Sequence, residues 1–161
     1  MARSVFYSFH YKNDISRVMT VRNRWVTYGN QLSSGVIDHA EFEKVRKQGD
    51  TAIKQWIDQQ LSGTTATIVL IGAETLKRPY VQYEICKSIE RGNAIIGVYI
   101  NWIKNFEGHI STACDRHTVI GYYSDGRPAY FDEIVDGIYD YVYQDGYNNL
   151  NSWVESAVRK H

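Results

Sequence analysis

Tyr80 and Glu84 stand four residues apart in Arg78-Pro79-Tyr80-Val81-Gln82-Tyr83-Glu84. Four residues is about one helical turn, so on a helix the two side chains share a face. A lone carboxylate beside an aromatic has a particular chemical use. Ordinary glycosidases need two carboxyl groups, one to protonate the leaving oxygen and one to attack or stabilise the sugar cation. A nicotinamide riboside differs, because its leaving ring is cationic while attached and departs neutral, so no acid is needed. One carboxylate near the ribose stabilises the oxocarbenium-like transition state and holds the ribose hydroxyls. An aromatic at the helix start stacks on a flat ring. Glu84 and Tyr80 fit that division of work.

Each residue also has a plain structural reading. A glutamate in the first turns of a helix is favoured by the macrodipole alone. Tyr80 serves equally as packing, His10 as a polar loop residue, Asp38 as a cap for the following helix, and Cys86 as a small buried hydrophobe. No His/Cys spacing resembles a metal site, and neither a glycine-rich phosphate loop nor Gly-x-Ser-x-Gly occurs.

The elements around Glu84 are legible from pattern. Thr67-Ile68-Val69-Leu70-Ile71-Gly72 and Ala94-Ile95-Ile96-Gly97-Val98-Tyr99-Ile100 are nearly continuous apolar runs, as expected of strands covered on both faces. Pro79 suits the first turn of the helix between them. Val81, Ile85 and Ile89 form its apolar stripe, with Glu84 beside it at the rim of the buried face, and Arg91-Gly92-Asn93 stops it. Burial without a partner raises such a carboxyl's pKa, and a nearby cation lowers it.

Upstream, Ser4–Phe9 has strand composition, and Asn13 or Asp14 can cap a helix carrying Ile15, Val18, Met19, Trp25 and Val26, with Arg22 on the same stripe and Gly29 as its end. Val36-Ile37-Asp38 reads as a short strand. Phe42, Val45, Ile53, Trp56, Ile57 and Leu61 suggest helical packing, with Asp50 a second cap. The alternation predicts an α/β fold, a three-layer flavodoxin-like arrangement with a central mostly parallel sheet and helices on both faces. In such a sheet the segments after each strand collect on one edge, where ligands bind. These are Ser8-Phe9-His10-Tyr11, Asp38-His39 and Gly72-Ala73-Glu74-Thr75, giving an aromatic wall (Phe9, Tyr11, Tyr80), hydroxyls and carboxylates.

The 161 residues suit a single domain over 1–161, with a core at 1–100, an irregular segment at 101–132 and C-terminal helices at 133–161. In the irregular segment Ser124-Asp125-Gly126-Arg127-Pro128 signals a turn, as of a hairpin. Ile134, Ile138, Tyr141 and Val142 then suggest one helix, and Leu150, Trp153, Val154 and Val158 another, with Asp145-Gly146-Tyr147 between them. Lys+Arg and Asp+Glu are both 18, so no basic stripe argues for nucleic acid. No apolar run is long enough to span a bilayer, the start lacks a signal-peptide core, and two cysteines make no disulfide framework, which together lead us to expect a cytoplasmic protein.

Val5-Phe6-Tyr7-Ser8-Phe9 resembles the first-strand motif of TIR (Toll/interleukin-1 receptor) domains, and Tyr80-Val81-Gln82-Tyr83-Glu84 resembles their aromatic-x-x-x-Glu signature. Tyr80 stands where many members have Trp, Val81 where many have Cys, and Gly72 where Ser is usual. Ser8-Phe9-His10-Tyr11, Val21-Arg22-Asn23-Arg24-Trp25-Val26, Tyr83 to Glu90, Asp145-Gly146-Tyr147-Asn148 and Ser152-Trp153-Val154 more closely resemble the TIR-like proteins of the bacterial Thoeris anti-phage system. The resemblance implies an enzyme that cleaves NAD at the nicotinamide–ribose bond with Glu84. It would make a cyclic or conjugated ADP-ribose-derived signal that activates a separate effector after infection, on a phage-derived trigger. It implies substrate-binding roles for Ser8, Phe9, His10, Asp38 (ribose side) and Tyr80 (stacking), NAD as substrate with no metal or further cofactor, and it leaves homo-oligomerisation open. Two readings compete: a non-catalytic TIR-like interaction module, for which the 13 tyrosines and 4 tryptophans offer faces, and a nucleoside transferase on the same fold.

Overall fold

The structure, a computed structural model, describes residues 3–27 and 47–161. Among the described residues four strands form a parallel sheet in the order β1-β2-β3-β6: β1 (Val5–Ser8), β2 (Ala66–Ile71), β3 (Ala94–Tyr99) and β6 (Gly137–Asp140). Ser8 lies opposite Val69, Ile71 opposite Tyr99, and Tyr99 opposite Asp140, so the strands end together on one carboxyl edge. Around it the described residues form helices α1 (Tyr11–Thr27), α2 (Asp50–Leu61), α3 (Pro79–Arg91) and α5 (Gly146–Val158), the one-turn α4 (Phe131–Ile134), a 3-10 turn at Thr75–Lys77 and the two-stranded hairpin β4 (Val119–Tyr122) and β5 (Pro128–Tyr130).

Period-two alternation sorts the strand residues into layers. Val5, Tyr7, Ile68, Leu70, Ile96 and Val98 pack against Val18 and Val21 of α1 and Leu150 and Val154 of α5. On the opposite face Val69, Ile71, Ile95 and Tyr99 meet Val81 and Ile85 of α3, and Phe6 meets Ile53, Trp56, Ile57 and Leu61 of α2. The expected three-layer α/β architecture is present. Pro79 occupies the start of α3, and Gly92, at φ 80°, ends it in the left-handed conformation that glycine adopts without a Cβ penalty. The expected hairpin turn is also present: the Tyr123 N–H donates to the Arg127 carbonyl (2.9 Å).

Several local expectations are corrected. Within the stretch 134–142 expected as a helix, residues 137–140 are a strand: β6 joins the sheet beside β3, and the Asp136 N–H and carboxylate bond the Ile95 carbonyl (2.8 Å) and N–H (2.8 Å) just before its start. Residues 133–161 therefore contribute a strand as well as α5, not helices alone. Spacings of 134, 138, 141 and 142 match a helix, but tertiary pairing decided the conformation. Ile89 is 45% exposed, so the apolar stripe of α3 ends at Ile85 and Ser88. Helix α1 begins at Tyr11, so Asp14 is an interior residue and not a cap; Asp50 is the first residue of α2, one past the Gly49 cap. The expected strand and helix residues Val36, Ile37, Asp38, Phe42 and Val45, with Gly29, lie outside the described residues. Among the described residues no helix is long and apolar enough to cross a membrane.

Candidate active site

Ser8 follows Phe6 on the α2/α3 face of the sheet and is the last residue of β1, which puts its hydroxyl at the carboxyl edge. Glu84 occupies the second turn of α3 and faces the sheet with Val81, Ile85 and Ser88. The two meet: Ser8 Oγ donates to Glu84 Oε1 at 3.2 Å, with Ser8 fully buried and Glu84 7% exposed. The carboxyl is thus deeper than the rim position its spacing suggested. Burial pushes the Glu84 pKa up to about 8, the Ser8 hydrogen bond pulling weakly the other way.

A chain of hydroxyls fixes the turn that carries Glu84. Ser88 Oγ donates to the Glu84 carbonyl (2.7 Å) and lies 2.7 Å from Thr67 Oγ1 on β2. Asn93 Nδ2 continues the chain to Thr64 Oγ1 (2.9 Å) and Thr67 Oγ1 (3.4 Å). At the head of α3, the Gly72 N–H donates to Thr75 Oγ1 (2.8 Å) and Gln82 Nε2 to the Leu76 carbonyl (2.9 Å). The loop from β2 and the helix start are therefore one bonded unit.

The other expected site residues fall at different distances from this centre. His10 is 9% exposed, its buried Nδ1 has no hydrogen-bond partner among the described residues, and it lies 4.0 Å from Glu74 Oε2. Burial, then the Arg78 charge, holds its pKa below the ordinary value, so the ring is neutral at neutral pH. Glu74 accepts from Asn13 Nδ2 (2.9 Å), so the segments after β1 and β2 converge as expected. Phe9 packs into the α1/α5 core, 6.0 Å from the Tyr11 ring. Tyr80 turns toward α2: its ring joins the Phe6/Trp56 cluster and its hydroxyl donates to Asp50 Oδ1 (3.1 Å). Asp38 is outside the described residues.

One pair at this edge escaped the sequence reading. Asp14 and Arg17, three residues apart on α1, are 1% and 4% exposed and joined at 3.3 Å. Burial lifts the Asp14 pKa to about 6 despite Arg17. A Cβ on Gly72 would collide with the Asp14 carboxylate, which accounts for glycine where a serine is usual. The i, i+3 spacing of opposite charges was visible, but nothing in it distinguished a buried pair from a solvated one.

The site thus offers at the carboxyl edge of a parallel sheet a buried carboxyl, Glu84, held by a hydroxyl and not by a cation, beside the charge-paired Asp14. A cationic ring arriving beside it would favour its ionised form, and the anion could then stabilise a developing sugar cation.

Comparison with known proteins agrees with this architecture. The model of the Thoeris protein ThsB, TIR-like domain, matches residues 6–105. A Bacillus cereus (strain MSX-D12) protein named as a candidate cyclic ADP-D-ribose synthase, ThsB1, is 38% identical over 191 aligned positions that cover 96% of this chain and 100% of the relative. The chain belongs to the Thoeris ThsB family of TIR-like domain proteins.

Proposed function

We propose that this protein cleaves the nicotinamide–ribose bond of NAD at Glu84. It converts the ADP-ribosyl half into a cyclic or conjugated signal nucleotide that activates a separate effector in bacterial anti-phage defence. The observation that carries the reading is the Ser8–Glu84 pair, a buried carboxyl with no paired cation among the described residues, at the sheet edge where α/β folds take ligands. The relative's name supports the product class. Nicotinamide departs neutral with the bonding electron pair, so the scheme needs no general acid, metal or further cofactor. The Glu84 anion stabilises the ribosyl cation left behind, and Ser8 holds the carboxyl in place. The reaction belongs to the cytoplasm, where NAD and the effector meet, and its trigger is phage-derived.

The test is nucleotide profiling by mass spectrometry in phage-challenged cells carrying wild-type protein or Glu84→Gln. An ADP-ribose-derived species should appear only with wild type, the variant falling by at least about a hundredfold, as when a group stabilising transition-state charge is removed. Protection retained by Glu84→Gln, with no nucleotide difference, would overturn the enzyme reading in favour of an interaction module.

A further inference from the structure

Residues 101–114, which follow β3, are held over the carboxyl edge by contacts that the cleavage scheme does not use. Arg17 is the main one. Its Nε donates to the Ile103 carbonyl (2.7 Å), one terminal nitrogen to the His109 carbonyl (2.9 Å), and the other to Asp14 Oδ1 (3.3 Å). The two carbonyls lie on opposite limbs of a loop. Asn105 closes that loop, its side-chain oxygen accepting the Glu107 (3.0 Å) and His109 (2.9 Å) N–H groups. The Ser111 N–H donates to the Asn101 carbonyl (2.9 Å). The segment is then sewn to the end of β2: the Cys114 N–H donates to the Gly72 carbonyl (2.9 Å) and its thiol to the Ala73 carbonyl (3.1 Å). Residues 72–74 in turn flank His10 and the segment that carries Ser8. The loop therefore lies along the carboxyl edge on the β3 side of Gly72.

Burying a guanidinium is costly unless its donors are satisfied, and a planar fork is the head group that can serve two carbonyls and a carboxylate at once. The loop so held presents Trp102 and Phe106, 41% and 86% exposed, and Trp102 meets the Tyr143 ring edge-on at 5.4 Å.

We propose that Arg17 is a positioning residue that sets the 101–111 loop as a wall of the cleft and thereby decides which product forms. The assignment rests on the NAD reading of Glu84. Once the C1′–nitrogen bond breaks and nicotinamide leaves with the electron pair, C1′ takes a pair from the nucleophile that reaches it. A nucleophile in the substrate's own adenosine half, an adenine ring nitrogen or a ribose hydroxyl that gives its proton to the Glu84 carboxylate, forms the new C1′ bond and closes the ring. Water forms a C1′–O bond, gives its proton to the Glu84 carboxylate, and yields linear ADP-ribose. The first step is common to both. A fixed apolar wall excludes water and confines the adenosine half, and both effects favour closure.

The test uses purified protein and NAD, with nicotinamide release and the cyclic-to-linear product ratio measured separately. Arg17→Lys keeps the charge beside Asp14 but loses the fork. Nicotinamide release should stay within about threefold while the ratio falls about tenfold, as a displaced positioning group can cause. Asn105→Ala, which leaves α1 intact, should move the ratio the same way and decides the matter if Arg17→Lys does not fold. A loss of folded protein lowers both products together and leaves the ratio unmoved. An unchanged ratio with nicotinamide still released, or a wild type that makes only linear ADP-ribose, overturns the assignment and leaves Glu84 standing. A wild type that releases no nicotinamide overturns the reading of Glu84 itself.

Discussion

Folding carries the Glu84 carboxyl from an ordinary value of 4.5 to about 8. Between those values the folded chain keeps a proton that the unfolded chain has lost. The stability linked to this group is therefore fully present below the unfolded value and is lost as pH rises through the folded one. Each unit of separation corresponds to about 1.4 kcal/mol, so the loss is several kcal/mol. Glu84→Gln escapes it: in thermal melts the variant should gain on wild type between about pH 5 and pH 9, and parallel curves would refute a buried acid. The proposed cleavage uses the Glu84 anion, so kcat/KM should rise with pH toward a plateau above the folded value. Ser8→Ala removes a hydrogen bond that favours the charged form; such bonds are worth about 1.5–3 kcal/mol. Its profile should move alkaline by about one to two units, and an unmoved profile would assign the titration to another group. At this scale the sequence revealed Glu84 and its strand-end setting, because motif and spacing are local. It did not reveal Asp14 and Arg17, whose burial depends on what β2 and the 101–111 loop lay over them.

The Glu84 turn is only as well placed as α3 is on β2, and that contact is polar at its centre. Asn93, just past the Gly92 turn, supplies the donors that complete the Thr64–Thr67–Ser88 chain. Asn93→Ala leaves buried hydroxyls short of a partner and should cost about 1–3 kcal/mol in urea unfolding with an unchanged m value. A cost below about 0.5 kcal/mol would mean that the hydroxyls re-pair among themselves. Strands β1 to β3 were legible because they are buried on both faces and so read as unbroken apolar runs. Strand β6 was not. Its four residues, all half-buried, include Gly137 and Asp140 and gain strand geometry from pairing with residues about 40 positions away. That pairing is invisible to any local period.

Across the whole molecule charge is balanced, 18 basic against 18 acidic residues with an isoelectric point near 7.0, so no net repulsion separates copies at neutral pH. Phe106, Tyr122 and Tyr143, at 86%, 74% and 70% exposure, add apolar contact area. Solubility should pass through a minimum near pH 7, and Phe106→Ser should raise that minimum, as measured by polyethylene glycol precipitation. Equal precipitation curves for the two proteins would absolve the aromatic rim. The count of aromatics was plain in the sequence; which of them face solvent was a property of the assembled layers.

The contact between Gly72 and Asp14 also constrains how this chain could change over generations. A serine at position 72, the residue usual in TIR domains, has no room while the Asp14 carboxylate fills that space. The two positions must therefore be exchanged in order: Asp14 shrinks first, leaving Arg17 to its two carbonyls, and only then can position 72 acquire a side chain. Taken in the reverse order, the first step meets a clash with the buried Asp14 carboxylate. The pair behaves as a ratchet, and it separates this branch of sequences from one that carries serine by a single permitted route.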